Sequence, residues 1–303
     1  MKKVYLDYDL VINWHITEAC NYSCFFCFAK WQDKNRKEIL HSDIQINLLM
    51  DELQKLKALL GQCSSVPFGN IRLNLVGGEI FLYKNQLVSI IKAAKSKGFQ
   101  ISAITNGSLL DPETISVVAD NFTSLGFSID SLDTGTNLKI GRAFKNIPMN
   151  VHLINQSIAA IRAKNPSIEI KINTVVNEFN KLEEFHSFIE QTKPHKWKIF
   201  KMLPVIRSEN GVSTAEFHQF LERHQNFGSI ISSEDNDEMT HSYLMVDPLG
   251  RLFQNSAGSE SGYSYSRNIL EHGIEAALTD IEFDKEKFRS RYKLINTTPV
   301  SLP

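Results

Sequence analysis

Apolar residues rich in Ile, Val and Phe gather into six short runs: Leu10 to Ile16, Ile71 to Val76, Gln100 to Thr105, Ser124 to Ile129, Ile168 to Val175 and Trp197 to Met202. Runs of this length predict strands buried on both faces, as in parallel sheets. Between them the apolar positions change to helical spacing, at Leu48, Leu49, Leu53, Leu56 and Leu60, then Leu87, Ile90, Ile91 and Ala94, then Ile154, Ile158 and Ile161. That spacing puts one apolar stripe on each helix and predicts crossover connections. Helix starts are signalled by Ser42 or Asp43, by Asp111 followed by Pro112, by Asn180, and by Ser213 or Thr214 ahead of Glu216. The alternation predicts an α/β fold, a partial (βα)6 barrel with its working loops at the carboxyl ends of the strands.

Past about Ser208 the rhythm changes. A helix is expected near Phe217 to Gln225, then a polar loop SSEDNDE, then a β-hairpin in SYLMVDPLGRLFQN turning at Asp247-Pro248-Leu249-Gly250. Residues 1–207 are therefore expected to form the barrel and 208–303 a C-terminal extension of the same domain. No repeat, low-complexity tract or linker divides the chain.

The 303 residues suffice for one large domain. Lys and Arg total 33 against 34 Asp and Glu, a net charge of −1. Such a balance argues against nucleic-acid or membrane-surface partners, although a few basic residues can still gather in a pocket. The opening MKKVYLDYDLVINWHI lacks a long apolar core and a small-residue cleavage site, so a cytoplasmic monomer is expected. Of the four cysteines, Cys20, Cys24 and Cys27 fall within eight positions and Cys63 stands alone. This is a poor disulfide framework and a better ligand cluster for a reducing compartment.

CNYSCFFCF places the three cysteines in a C-x3-C-x2-C arrangement on the loop after the first strand. Three thiolates on so short a stretch can converge on one iron–sulfur cubane and leave one iron open to a ligand. The competing reading is three buried cysteines, or a zinc site completed by His15 or His41. Gly77-Gly78-Glu79 follows the second strand, where glycines permit close backbone approach and a carboxylate can accept hydrogen bonds. Asn106-Gly107-Ser108 closes the third strand and Ser128 with Asp130 closes the fourth. Each of these is also an ordinary turn by itself.

In the second half Lys171 and Asn173 lie two apart on one strand, and Lys196 and Lys198 two apart on the next. Period two turns both members of a pair to one side. Inward lysines need an anionic guest, which a triphosphate would be, whereas lysines on an edge strand need only solvent. Arg267 and Arg291 follow in the extension.

The cysteine triad, GGE and their spacing resemble the radical S-adenosylmethionine (SAM) superfamily. The resemblance implies a 4Fe-4S cluster on Cys20, Cys24 and Cys27, with SAM held by Gly77, Gly78, Glu79, Asn106, Ser108, Ser128, Asp130 and Arg142. Most members have Pro after the Glu; here Ile80 stands there. The words NWHITEACNYSCFFCF, KINTVVNEFN, KWKIFKML, FLERH, SYLMVDPLGRLFQN and SRNILEHGIEAAL are similar to the viperin family from about Asn13 to Tyr292. That likeness implies a nucleotide dehydratase, in which a 5′-deoxyadenosyl radical takes hydrogen from C4′ of a ribonucleoside triphosphate. The product is the 3′-deoxy-3′,4′-didehydro analogue, an antiviral chain terminator.

The same likeness puts Lys171, Asn173, Lys198, Arg267 and Arg291 around the triphosphate, Asn13 near the base and Tyr243 beside the ribose. Tyr243, Lys171 and Asn173 are its candidates for catalysis, and an external electron donor is implied. Asn13 tips the expected substrate toward CTP, with UTP next. Ser256 stands where the animal pattern has a cysteine, which leaves base recognition less defined. Two rivals remain, a radical enzyme acting on a peptide and a non-catalytic metal-binding interaction protein. The first usually carries extra cluster cysteines and the second a basic stripe with aromatics, neither of which this chain shows.

Overall fold

The computed structural model describes residues 8–27, 37–61, 68–202, 209–235, 239–255 and 263–291, with the backbone alone at 290 and 291. Cys63, Phe28, Ser256 and the side chain of Arg291 lie outside the described residues.

All six expected strands form: β1 (Tyr8–Thr17), β2 (Phe68–Gly77), β3 (Gln100–Thr105), β4 (Ser124–Ser128), β7 (Glu169–Val176) and β8 (Lys196–Lys201), after a two-residue ribbon of β5 (Ala143–Phe144) and β6 (Ile147–Pro148). The six lie side by side in chain order, each parallel to the next. Helices α1 (Asp43–Gly61), α2 (Lys84–Ser96), α3 (Pro112–Asn121), α4 (Thr134–Ile140), α5 (Val151–Lys164) and α6 (His186–Thr192) connect them. Their apolar stripes join the outward faces of the strands in one core, with Leu49, Leu53 and Leu56 of α1, Ile90 and Ile91 of α2 and Ile154 and Ile158 of α5 all buried. Leu48, expected on the α1 stripe, is instead exposed, and Ile46 takes the buried position.

Local chemistry explains most boundaries. Asp111 caps α3 by accepting from the Thr114 amide at 2.8 Å, with Pro112 at the first helical position. A full capping box between Ser213 and Glu216 starts α7 (Thr214–Arg223). Asn180, expected to cap a helix, does not: its Nδ2 donates to the carbonyls of Asp130 (2.6 Å) and Val175 (2.9 Å), tying a turn to the end of β4.

The extension adds strands at both ends of the sheet. β9 (Ile231–Glu234) lies parallel to β8, while β10 (Leu244–Val246) lies parallel to β1, followed by antiparallel β11 (Arg251–Asn255) and β12 (Tyr263–Asn268). The expected hairpin is therefore present, its turn held by Asp247 Oδ1, which accepts from the amides of Leu249 (3.0 Å) and Arg251 (2.8 Å), with Gly250 at φ +83°. The expected polar loop SSEDNDE is corrected, because its first residues form β9. Although β9 and β10 stand on opposite flanks of the six central strands, the Tyr243 hydroxyl just before β10 donates to Glu234 at the end of β9. The sheet thus curls until its flanks meet, enclosing an interior lined by polar side chains.

Candidate active site

The cysteine loop begins where β1 ends, and glycines lock it onto the neighbouring strand ends. Gly78 and Glu79 donate their amides to the carbonyls of Thr17 and Ala19, each at 2.8 Å. A Cβ on Gly78 would lie 1.9 Å from the Ala19 oxygen, and one on Gly77, at φ +125°, would lie 2.4 Å from the Thr17 oxygen. The space a side chain would take at either glycine is filled by the cysteine loop itself. Gly141, at φ +87°, does the same on the other side, where a Cβ would meet the Ser23 oxygen at 2.5 Å. There Ser23 donates to the Gly141 carbonyl (3.1 Å) and Phe25 to that of Ile140 (3.0 Å).

Cys20 is exposed, Cys24 buried and Cys27 half-buried. Burial pushes the Cys24 thiol up to about 12, and its neighbours Cys20 and Cys27 act in the same direction. Among the described residues no three His, Cys, Asp or Glu side chains are drawn in tightly enough to hold a single ion. A cubane is larger than one ion and suits thiols set further apart. His15, the alternative zinc ligand, lies buried in the barrel, where burial pushes it down to about 3 and keeps it neutral.

Glu79 is fully buried, with Oε1 accepting from Thr105 Oγ1 (2.8 Å) and the Phe81 amide (3.1 Å) and Oε2 from the Asn106 amide (2.8 Å). It clamps the ends of β2 and β3 together, and burial raises its carboxyl. Asn106 in turn donates to Asn21 Oδ1 (2.8 Å) and toward Cys20 Sγ (3.9 Å), while its Oδ1 accepts from Ser108. The NGS turn is thereby wired to the cysteine loop. Arg142 is buried with Nε 2.5 Å from Asp130 Oδ2, and Asp130 Oδ1 accepts from the Val175 amide at 2.8 Å. Burial opposes the Arg142 charge, but Asp130 and the Cys24 thiol outweigh it and raise its pKa. Its two terminal nitrogens carry no hydrogen bond to any described residue, so the side of the guanidinium that could grip a carboxylate in two places is available. Ser128 is half-buried at the end of β4.

The other half of the interior is cationic. Lys171 and Asn173 share one side of β7, in register with Lys196 and Lys198 of β8. With β9 beyond it, β8 is not an edge strand, which removes the solvent-facing reading of Lys198. Lys171 lies 3.0 Å from Glu169, and burial, with Arg72 nearby, pushes its ammonium down to about 8. Asn173 is buried and its Oδ1 has no hydrogen-bond partner among the described residues. Lys198 lies 2.8 Å from Glu234 Oε1 and donates to the Tyr243 hydroxyl at 3.3 Å. Across the barrel Asn13 Oδ1 accepts from Asn74 Nδ2 (2.7 Å), whose Oδ1 accepts from Ser102 (2.8 Å), and the Asn13 amide N–H groups have no acceptor among the described residues.

Arg267 stands apart. It is half-exposed and its guanidinium is paired with Asp280, Nε at 2.7 Å and Nη2 at 2.8 Å. Glu234 was missed, because in the sequence it sits inside a run of polar residues whose only strand signal is the preceding Ile230-Ile231.

A half-open parallel barrel with a three-cysteine loop braced by GGE defines a class of cluster-dependent radical enzymes, and residues 14–191 match the profile of the Radical SAM superfamily. The S-adenosylmethionine-dependent nucleotide dehydratase of Psychrobacter lutiphocae is 52% identical over 285 residues, spanning 94% of this chain and 95% of that protein. The protein of the same name from Fibrobacter sp. is 39% identical, spanning 94% of this chain and 88% of the relative. Among solved structures, anSMEcpe with bound AdoMet superposes with a TM-score of 0.66 at 12% identity, covering 94% of this chain and 84% of that one. Streptococcus suis SuiB bound to precursor peptide SuiA gives 0.60 at 14% identity, covering 96% and 68%. At such low identity these two show the fold alone. The chain belongs to the radical SAM superfamily and, within it, to the viperin-like family of S-adenosylmethionine-dependent nucleotide dehydratases. Membership carries a 4Fe-4S cluster and SAM as cofactors, and the donor set fits both: three thiols on one loop and an arginine whose terminal nitrogens have no hydrogen-bond partner among the described residues. Among the described residues no helix is long and apolar enough to cross a membrane.

Proposed function

We propose that this protein converts a ribonucleoside triphosphate, CTP in preference to UTP, into its 3′-deoxy-3′,4′-didehydro analogue, and that 208–303 completes the nucleotide site within one domain with 1–207. The observation that carries this reading is the inner wall of β7 and β8, where Lys171 and Lys198 lie on either side of Asn173 and direct ammonium groups into the interior. Ammonium groups in a barrel interior are costly without anionic partners, and one carboxylate each leaves room for phosphate oxygens. The name shared by the relatives supports the same substrate class.

When bound, the cluster and SAM supply a one-electron route to hydrogen abstraction, fed by an external electron donor. The chain's own residues do the rest. Cys20, Cys24 and Cys27 hold the cluster; Arg142 and Asp130, with Asn106, Ser108 and Ser128 at the neighbouring strand ends, fix SAM. Lys171, Asn173 and Lys198 anchor the phosphates, so that the ribose lies between them and the cysteine loop with Tyr243 alongside. Arg267 joins the phosphates only by giving up Asp280. After hydrogen leaves C4′, the C3′–O bond breaks with its electron pair on oxygen. That oxygen takes one proton and departs as water, and one electron from the external donor completes the C3′=C4′ bond. Tyr243 is the candidate proton source.

The CTP preference rests on Asn13. With its carbonyl engaged by Asn74, the amide presents N–H donors. An N–H donor facing ring position 3 suits cytosine, whose N3 accepts, and rejects uracil, whose N3 carries a hydrogen; one facing position 4 would instead suit uracil's carbonyl, so competition between the bases decides which it meets. Equimolar CTP, UTP, GTP and ATP should be offered together to the reconstituted enzyme under anaerobic reduction, with products identified by mass. The didehydro cytidine nucleotide should dominate. Another dominant didehydro product overturns the base assignment, and none at all overturns the dehydratase reading.

A further inference from the structure

Glu234 is a buried carboxylate, 5% exposed, at the carboxyl end of β9 in the strand that closes the barrel. One oxygen lies 2.8 Å from Lys198 Nζ; the other accepts the Tyr243 hydroxyl, and Lys198 also donates to that hydroxyl oxygen at 3.3 Å. Three polar groups from β8, β9 and the start of β10 therefore form a closed triangle inside the barrel. The Lys198 ammonium lies 5.2 Å from the centre of the Phe200 ring and 5.6 Å from that of Tyr243, so its position is limited on several sides.

The geometry gives each member a different constraint. A phenol has one proton to donate, and here it is directed at Glu234. Its oxygen accepts from Lys198, which can return a proton whenever the phenol releases one. The carboxylate compensates the lysine charge and fixes both donors at the seam between the two flanks of the sheet. Without it the ammonium would lean on whatever anion entered, and the phenol would lose the acceptor that fixes the direction of its O–H.

We propose that Glu234 is a positioning residue for dehydration, holding the Tyr243 hydroxyl and the Lys198 ammonium as one proton-delivering unit beside the departing 3′-hydroxyl. This inference rests on the proposed dehydratase reading. The step balances as written above: the Tyr243 O–H turns from Glu234 to the leaving oxygen and gives up its proton, Lys198, already donating to the phenol oxygen, replaces it, and solvent restores Lys198. The electron comes from the external one-electron donor. Glu234 neither gains nor loses a proton over the cycle, and acts through the two groups it holds.

The test compares wild type with Glu234→Gln in the holoenzyme, the glutamine keeping the size and one acceptor oxygen. Three quantities are measured: 5′-deoxyadenosine formed, didehydro nucleotide formed, and KM for the triphosphate. With Glu234→Gln the didehydro product per 5′-deoxyadenosine should fall roughly tenfold or more, while KM changes by less than about threefold. A residue that merely holds the seam together would lower both products in parallel and leave their ratio intact, and that result overturns the proposal. An unchanged variant overturns it too. In either case a wild type that still makes the didehydro nucleotide leaves the dehydratase reading standing. A wild type that makes none from any of the four triphosphates removes that reading and this inference together. Tyr243→Phe, which keeps the ring and lacks the proton, should reproduce the loss of coupling; a Tyr243→Phe enzyme coupled as well as wild type also overturns the proposal.

Discussion

The two halves of the barrel interior are built on opposite terms. From β1 to β4 the site is wired shut, with Glu79 taking three hydrogen bonds, Asn106 tied to the cysteine loop, and glycines without room for a single carbon. From β7 to β9 it is under-satisfied, with an orphan acceptor on Asn173 and lysines held by one carboxylate each. The first arrangement suits a resident cofactor that must be held in one place through every turnover. The second suits a guest that arrives with its own charges and leaves again, since lysines already held by carboxylates keep further N–H donors for phosphate oxygens.

Substitutions in the wired half should have the largest effects. Cys20→Ala, Cys24→Ala or Cys27→Ala should each abolish the iron–sulfur absorbance and SAM cleavage, whereas Cys63→Ala should do neither. Gly78→Ala should act almost as strongly, because a Cβ placed 1.9 Å from the Ala19 carbonyl forces the cysteine loop away from β2. Iron content and absorbance after anaerobic reconstitution check both. Full cluster occupancy in Gly78→Ala would show that the loop is not held as described.

In the under-satisfied half the losses should be selective. Lys171→Ala and Lys198→Ala should each weaken triphosphate binding about tenfold, roughly the worth of one charge-assisted contact, and leave SAM binding unchanged. Titration calorimetry with each ligand decides this, and equal losses for both would contradict the placement of the lysines on the phosphates. A smaller effect sharpens the comparison. Burial holds the Lys171 ammonium down to about 8, so near and above that pH part of the population is neutral. A bound polyanion favours the charged form and raises that pKa, so binding near pH 8 should take up protons, at a fraction of a proton per site. Calorimetry in two buffers of different ionisation enthalpy reads the uptake, which Lys171→Met should remove.

The same contrast governs what the sequence made legible. The cofactor half was readable because its residues are contiguous words at strand ends, where a short loop confines three thiols or a pair of glycines. The six central strands were readable from their Ile, Val and Phe content, although β2, β7 and β8 alternate apolar residues packed under the helices with polar ones facing the interior. The substrate half depends on residues from separate strands, and period two could show that Lys171 and Asn173 share a side without showing what else faces them. β9 was lost for that reason: three of its four residues are polar, and its inner face points at charges. Arg267 shows the limit from the other side, since the sequence could not show that Asp280 already holds its guanidinium. Asn180 looked like a helix cap because Asn serves caps and turns by the same side-chain chemistry.

The central claim is that the barrel presents the ribose of a nucleotide, at C4′, to the cofactor held by the cysteine loop. CTP deuterated only at C4′ tests it directly, with the label followed into 5′-deoxyadenosine by mass under anaerobic turnover. The account predicts one deuterium in each 5′-deoxyadenosine formed with product, and a didehydro nucleotide that has lost the label. Unlabelled 5′-deoxyadenosine alongside product that retains deuterium would contradict it.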